Sequence, residues 1–234
     1  MYDKTLTETR LNLRKEGKIT INFLGFVDKI KYLEDNDGKY LVAIIDYKTG
    51  YVPTTLDNIN YGLHLQLPVY IYLTKRGLHK DIKITGFYLQ KILNGKTVDS
   101  DSFEEDSKKA LKLDGYSIDS EEELIKFDRT YTKSDVIKGM ATTSKGFAHY
   151  AKLFNDSDIE KIDRIVDERI NEVVEAIWKG DFPINPKRVK GELIGCEFCK
   201  YKEICYRREE DIVDLEYKTR EDILGDDLNA KVDE

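Results

Sequence analysis

The chain has 234 residues, 40% of them hydrophobic, with 15 Tyr and 9 Phe, which is enough apolar material for one buried core with an elaboration. No apolar run approaches the length of a membrane span, and the polar stretch from Met1 to Arg10 is unlike a secretion signal. The expected setting is therefore the cytoplasm, with no membrane partner and with three cysteines kept reduced unless they bind metal. A net charge of −7 argues against strong general attraction to nucleic acid, so any such chemistry must rely on local basic residues and bound cations.

In chain order, Leu6 to Arg14 alternates loosely enough for a short strand, and Lys15-Glu16-Gly17 turns it into the next one. Ile19 to Leu33 is rich in β-branched and aromatic residues, Asn36-Asp37-Gly38 is a turn signal, and Tyr40 to Ile45 is nearly all apolar, so the two runs form a β-hairpin. Leu41-Val42-Ala43-Ile44-Ile45 reads as a strand buried on both faces in the middle of a sheet. It finishes in Asp46-Tyr47-Lys48-Thr49-Gly50, and Asp28 precedes Asp46 by eighteen residues on the other arm. Two strands ending this way place two carboxylates and a lysine at one end of a sheet, a geometry that holds a hard divalent cation beside a water.

Tyr51 to Asp57 reads as a loop, and apolar spacing from Asn58 to Lys75 predicts a helix ended by Gly77, with Pro68 kinking it or marking its first turn. Gln66 and Tyr70 are four residues apart and share one face of that helix. Asp81 to Leu93 predicts the next strand and gives an α/β core. Residues 94 to 134 mix acidic runs, lysines and scattered apolar residues, which predicts a solvated, partly ordered insertion without chemistry. Asp156 to Lys179 has the spacing of a long amphipathic helix, capped around Asn155 to Ser157 and closed by Gly180. After an extended connector from Phe182 to Lys187, Cys196, Cys199 and Cys205 fall within ten residues as C-x2-C-x5-C, and residues 206 to 234 read as a charged tail. Three thiolates at this spacing suit zinc or an iron-sulfur cluster, either of which wants a fourth ligand.

Asp28 with Asp46-Tyr47-Lys48, in their Gly25-Phe26-Val27 and Ile44-Ile45 contexts, resembles the PD-(D/E)XK nuclease signature in its RecB-type branch. Gln66-x-x-x-Tyr70 resembles the motif that follows it there, and both Leu111 to Ser117 and the cysteine triad resemble segments of AddB-type helicase-nuclease subunits. The resemblance implies a restriction-endonuclease-like α/β fold with a central mixed sheet flanked by helices, and a nuclease domain over residues 1 to 205. It implies Asp28, Asp46 and Lys48 as catalytic residues, Mg²⁺ or Mn²⁺ held by Asp28, Asp46 and the backbone carbonyl of Tyr47, and Gln66 and Tyr70 supporting. It also implies DNA as substrate, an AddA-type helicase subunit as partner, and a 4Fe-4S cluster on Cys196, Cys199 and Cys205 in a longer polypeptide. The helix that usually precedes the first strand and the fourth cysteine are both missing, so the chain is expected to be a C-terminal piece without the cluster. Its cysteines should then lie near one another, two of them able to pair as a disulfide if their Cα atoms come within reach, with residues beyond about Val189 loosely attached or reorganised. The alternatives are a free-standing RecB-like single-strand exonuclease, or an inactive PD-(D/E)XK module that only binds DNA or scaffolds a partner; Asp28, Asp46 and Lys48 are all present against the latter.

Overall fold

The computed structural model describes residues 2–16, 19–50, 54–78, 80–92, 103–197 and 199–225. The expected turn at Gly17, part of the loop after Gly50 and the acidic stretch from Asp99 to Ser102 lie outside them. Among the described residues a six-stranded mixed sheet runs in the spatial order β1 (Tyr2–Glu16), β2 (Ile19–Glu34), β3 (Tyr40–Lys48), β4 (Ile82–Lys91), β5 (Asp114–Ile118) and the short strand Leu153–Phe154. The first three strands are antiparallel, β3 and β4 are parallel, and β5 is antiparallel to β4. The parallel step demands a crossover, which helix α1 (Gln66–Gly77) supplies. The mixed α/β architecture is thus the expected one, although β1 is longer than Leu6 to Arg14.

Burial follows the two-residue period of β3. Val42 and Ile44 enter the main core beneath α1 with Phe87, Leu89 and Ile71, while Ala43 and Ile45 enter a second cluster on the opposite face with Tyr88, Leu124 and Ile137. A long helix, Asp156–Lys179, packs on α1: its Val166, Ile170 and Val174 meet Tyr72, and Arg76 grips Asp163 with two hydrogen bonds of 2.8 and 3.1 Å. Asn155 and Asp158 form its capping box, and Gly180, at φ +65°, takes the left-handed turn that closes it, as the sequence predicts.

The helix expected from Asn58 begins only at Gln66. Asn58, Gly62 and His64 hold left-handed backbone angles, which break helical continuity and leave a single 3-10 turn at Ile59–Tyr61. Pro68 is the third residue of α1, where its missing N–H has no partner to lose.

Two expectations are corrected. Residues 103 to 134 are no solvated insertion: β5 lies within the central sheet, Ser117 is fully buried against the Tyr88 hydroxyl at 2.8 Å, and Leu124 is 1% exposed. Among the described residues, those beyond Val189 are not loosely held either, and 206 to 225 do not form a tail. Val213–Leu215 pairs in parallel with Lys187–Val189, and the backbone of Lys218 exchanges hydrogen bonds with Asn58 at 2.8 and 2.9 Å. Helix Arg220–Leu224 then seats Leu224 in the main core, while Arg220 meets buried Asp158 at 2.8 Å. Apolar burial and a buried ion pair provide the attachment that a metal cluster was expected to provide; residues 226 to 234 lie outside the described ones.

Candidate active site

The carboxy end of β3 meets the amino end of α1, where Gln66 hydrogen-bonds to Asp46 and Lys48. Asp46 shares the α1-facing side with Val42 and Ile44 and is 1% exposed. Its Oδ1 accepts a hydrogen bond from Gln66 Nε2 at 3.0 Å, and its Oδ2 lies 2.6 Å from Lys48 Nζ. Lys48 in turn donates to Gln66 Oε1 at 2.5 Å, and Gln66 Nε2 also reaches the Tyr70 hydroxyl at 3.1 Å. Gln66, at the first position of α1, therefore ties helix to strand and fixes the rotamers of both charged residues.

Asp28 arrives from β2. The β2–β3 ladder pairs Lys29 with Ile45, and two residues further along β3 the Tyr47 N–H turns to Asp28 Oδ2 at 3.0 Å instead of to a strand. Along a strand the N–H and C=O of one residue point to the same side. The Tyr47 carbonyl thus also points toward β2, beside Asp28. All five side chains picked from the sequence, with the Tyr47 backbone, meet at one end of the sheet.

Burial raises the Asp46 carboxyl above the ordinary carboxylate range; Lys48 opposes this and the nearby negative charge of Asp28 adds to it. Burial likewise raises the Tyr70 hydroxyl, so it stays protonated and available as a donor. Two mutually repelling carboxylates, one of them with a buried Oδ2 that meets no well-directed hydrogen-bond donor, form a site that a hard divalent cation would relieve. Among the described residues no group of three or more His, Cys, Asp or Glu has metal-holding geometry. Two carboxylates with few other protein donors suit Mg²⁺, which keeps several waters when bound.

The cysteine triad does not assemble into a metal-binding group. Cys196, Cys199 and Cys205 are free thiols in a turn-rich segment, Cys199 exposed and the other two half-buried. The arrangement does not fit an iron-sulfur cluster, and no disulfide forms.

Gly25 and Lys91 complete the surroundings, and sequence reasoning gave neither a place in the site. A Cβ on Gly25 would fall 2.2 Å from Leu73 Cδ1, so with any other residue the buried Leu73 side chain must shift where α1 meets β2, three residues before Asp28. Lys91 stands opposite Lys48 in the β3–β4 register and is exposed, a second cation visible only once that register is known. Gly25→Ala should overpack the contact with the fully buried Leu73 and cost about 1–3 kcal/mol, measurable by urea unfolding. A loss too small to measure would mean that α1 does not depend on this contact.

The PD-(D/E)XK nuclease superfamily matches residues 3–206, most of the chain. The chain belongs to that superfamily. The B-type subunits of several bacterial ATP-dependent helicase/deoxyribonucleases are similar to this nuclease domain. The one from Carboxydothermus hydrogenoformans is 26% identical over 196 residues, 80% of this chain and 18% of its own length. Those from Thermoanaerobacter sp. (strain X514) and Alkaliphilus oremlandii are also 26% identical, over 79% and 89% of this chain and 17% and 19% of theirs. The chain thus spans less than a fifth of these relatives. Among the described residues of this PD-(D/E)XK domain, no helix is long and apolar enough to cross a membrane.

Proposed function

We propose that this domain hydrolyses phosphodiester bonds of DNA with the help of a divalent cation, as the nuclease part of a helicase-nuclease subunit that works with an AddA-type motor. The convergence of Asp28, Asp46, Lys48 and Gln66 at one strand end supports this reading best. Asp28, Asp46 and the Tyr47 carbonyl would hold Mg²⁺ or Mn²⁺. Such an ion acts as a Lewis acid toward a phosphoryl oxygen and makes bound water a stronger nucleophile.

The remaining chemistry belongs to the chain. Lys48, steered by the Gln66 carbonyl oxygen, orients the attacking water and offsets negative charge developing on the phosphoryl oxygens. Gln66 keeps Asp46 Oδ1 engaged and leaves Oδ2 beside Lys48, and the protonated Tyr70 hydroxyl steadies Gln66 or meets a backbone phosphate. Because Gln66 acts through its neighbours, Gln66→Ala should lower metal affinity about 10–100-fold without unfolding the domain. Unchanged affinity would remove it from the supporting role.

The test of the whole reading is a Mn²⁺ titration of the 234-residue chain followed by electron paramagnetic resonance, with DNA cleavage measured alongside. One site lost in Asp28→Ala and metal-dependent cleavage abolished by EDTA are expected. The absence of any site dependent on Asp28 would overturn it. Cleavage by the isolated chain should be weak at physiological salt, since its net charge opposes DNA. An iron-sulfur role for Cys196, Cys199 and Cys205 requires a fourth ligand from outside these 234 residues, so iron and sulfide analysis of this chain should find no cluster.

A further inference from the structure

The sheet carries a second concave feature, on the face away from Asp46. A cavity of about 410 Å³ lies over Ala43 and Ile45 of β3, within the ~300–1,000 Å³ typical of small-molecule sites. Its floor is apolar, and Phe127, only half-buried, lends it an aromatic face. Four lysines line it: Lys29 and Lys31 from β2, and Lys108 and Lys112 from the segment before β5. Two aspartates line it as well. Asp128 is committed to Thr130 and Ser134, whereas Asp135 is exposed to water. Lys112 spends one ammonium donor on the Ser134 carbonyl at 2.5 Å and keeps two.

A chain of net charge −7 that gathers four lysines around an apolar floor has the chemistry to hold an anion carrying a flat apolar body. We infer that this cavity binds a nucleoside monophosphate group, its base against Phe127 and its phosphate among Lys31, Lys108 and Lys112. Aromatic stacking is tolerant of which base is present, and lysines act as point charges toward phosphate without fixing its orientation. The group could come from a free mononucleotide or from the phosphorylated end of a DNA strand. The inference does not rest on the cleavage reading, because cavity and carboxylates lie on opposite faces of the sheet.

The experiment is calorimetric titration of the 234-residue Asp46→Ala chain in EDTA, so that no metal site retains phosphate, with deoxyadenosine monophosphate as probe. Saturable binding to one site is expected, weakened about tenfold by Lys31→Met and by Phe127→Leu, the loss of one charge-assisted or stacking contact. Deoxyadenosine should bind at least about tenfold more weakly. If Phe127→Leu loosens the fold, Lys31→Met, on a partly exposed side chain, still decides. A 5′-phosphorylated trinucleotide that binds more tightly than the mononucleotide assigns the site to strand ends, and one that does not assigns it to free nucleotide. Affinity unmoved by Lys31→Met, inorganic phosphate binding as tightly as the nucleotide, or no saturable binding at all would overturn the inference.

Discussion

Asp46→Ala should abolish metal-dependent DNA cleavage while leaving the domain folded and at least as stable. The loss should exceed the ~10–100-fold typical of residues that only support metal ligands, because a hard oxygen donor would disappear from a proposed site where the described residues bring together two carboxylates. Stability moves the other way for a reason visible in the site. Burial already disfavours the ionised Asp46 carboxyl, so folding at neutral pH carries a cost that alanine removes. Its partner Lys48 is 21% exposed and can turn to water, so no buried ammonium is stranded. Cleavage at the wild-type rate in Mg²⁺ would sink the assignment of Asp46. A large drop in melting temperature would instead show that the carboxylate is structural, and Asp46→Asn, which keeps an oxygen acceptor for Gln66, separates the two outcomes.

What could be read beforehand divides by the range of the interactions that fix it. The β2–β3 hairpin and the helix over Asp156–Lys179 were legible because their signals are local: a β-branched run, an Asn-Asp-Gly turn, a capping box and a closing glycine. Asp28, Asp46, Lys48, Gln66 and Tyr70 were legible through motif spacing, although the role of Gln66 as a bridge to both Asp46 and Lys48 emerges only when α1 is docked. β5 was missed because it is built from Asp114, Gly115, Tyr116 and Ser117, which looks solvated. Gly115 is required by a close approach, since a Cβ there would fall 2.2 Å from the Phe87 carbonyl oxygen, and Ser117 is buried through a bond to a residue 29 positions away. The same holds for Arg220 and Leu224, whose partners lie far back in the chain and leave no trace in the composition of their own segment. The cysteine triad shows the converse: its spacing is a strong local signal, yet the three thiols form no metal-holding group.

Arg220→Met should destabilise the domain by about 3–5 kcal/mol, the largest loss expected from a change outside the site, with urea unfolding as the measurement. The Arg220 side chain is 10% exposed and that of Asp158 is 2% exposed, at a separation of 2.8 Å, so removing the guanidinium leaves a carboxylate in a place with little water. Asp158 also accepts from the backbone N–H of Asn155 at 3.2 Å, a neutral donor that does not replace the guanidinium charge. Arg220 also donates to the carbonyl of Leu153, in the outermost strand of the central sheet, at 3.3 Å. Its loss therefore loosens both the C-terminal segment and that sheet edge. Pairing Arg220→Met with Asp158→Asn should recover part of the deficit, because a neutral amide needs no cation yet still accepts from Asn155. Leu224→Ala tests the apolar half of the same attachment and should cost about 2–5 kcal/mol, since Leu224 is 1% exposed within the main core. If Arg220→Met costs less than about 1 kcal/mol, as for an exposed ion pair, the C-terminal segment is not held by this pair.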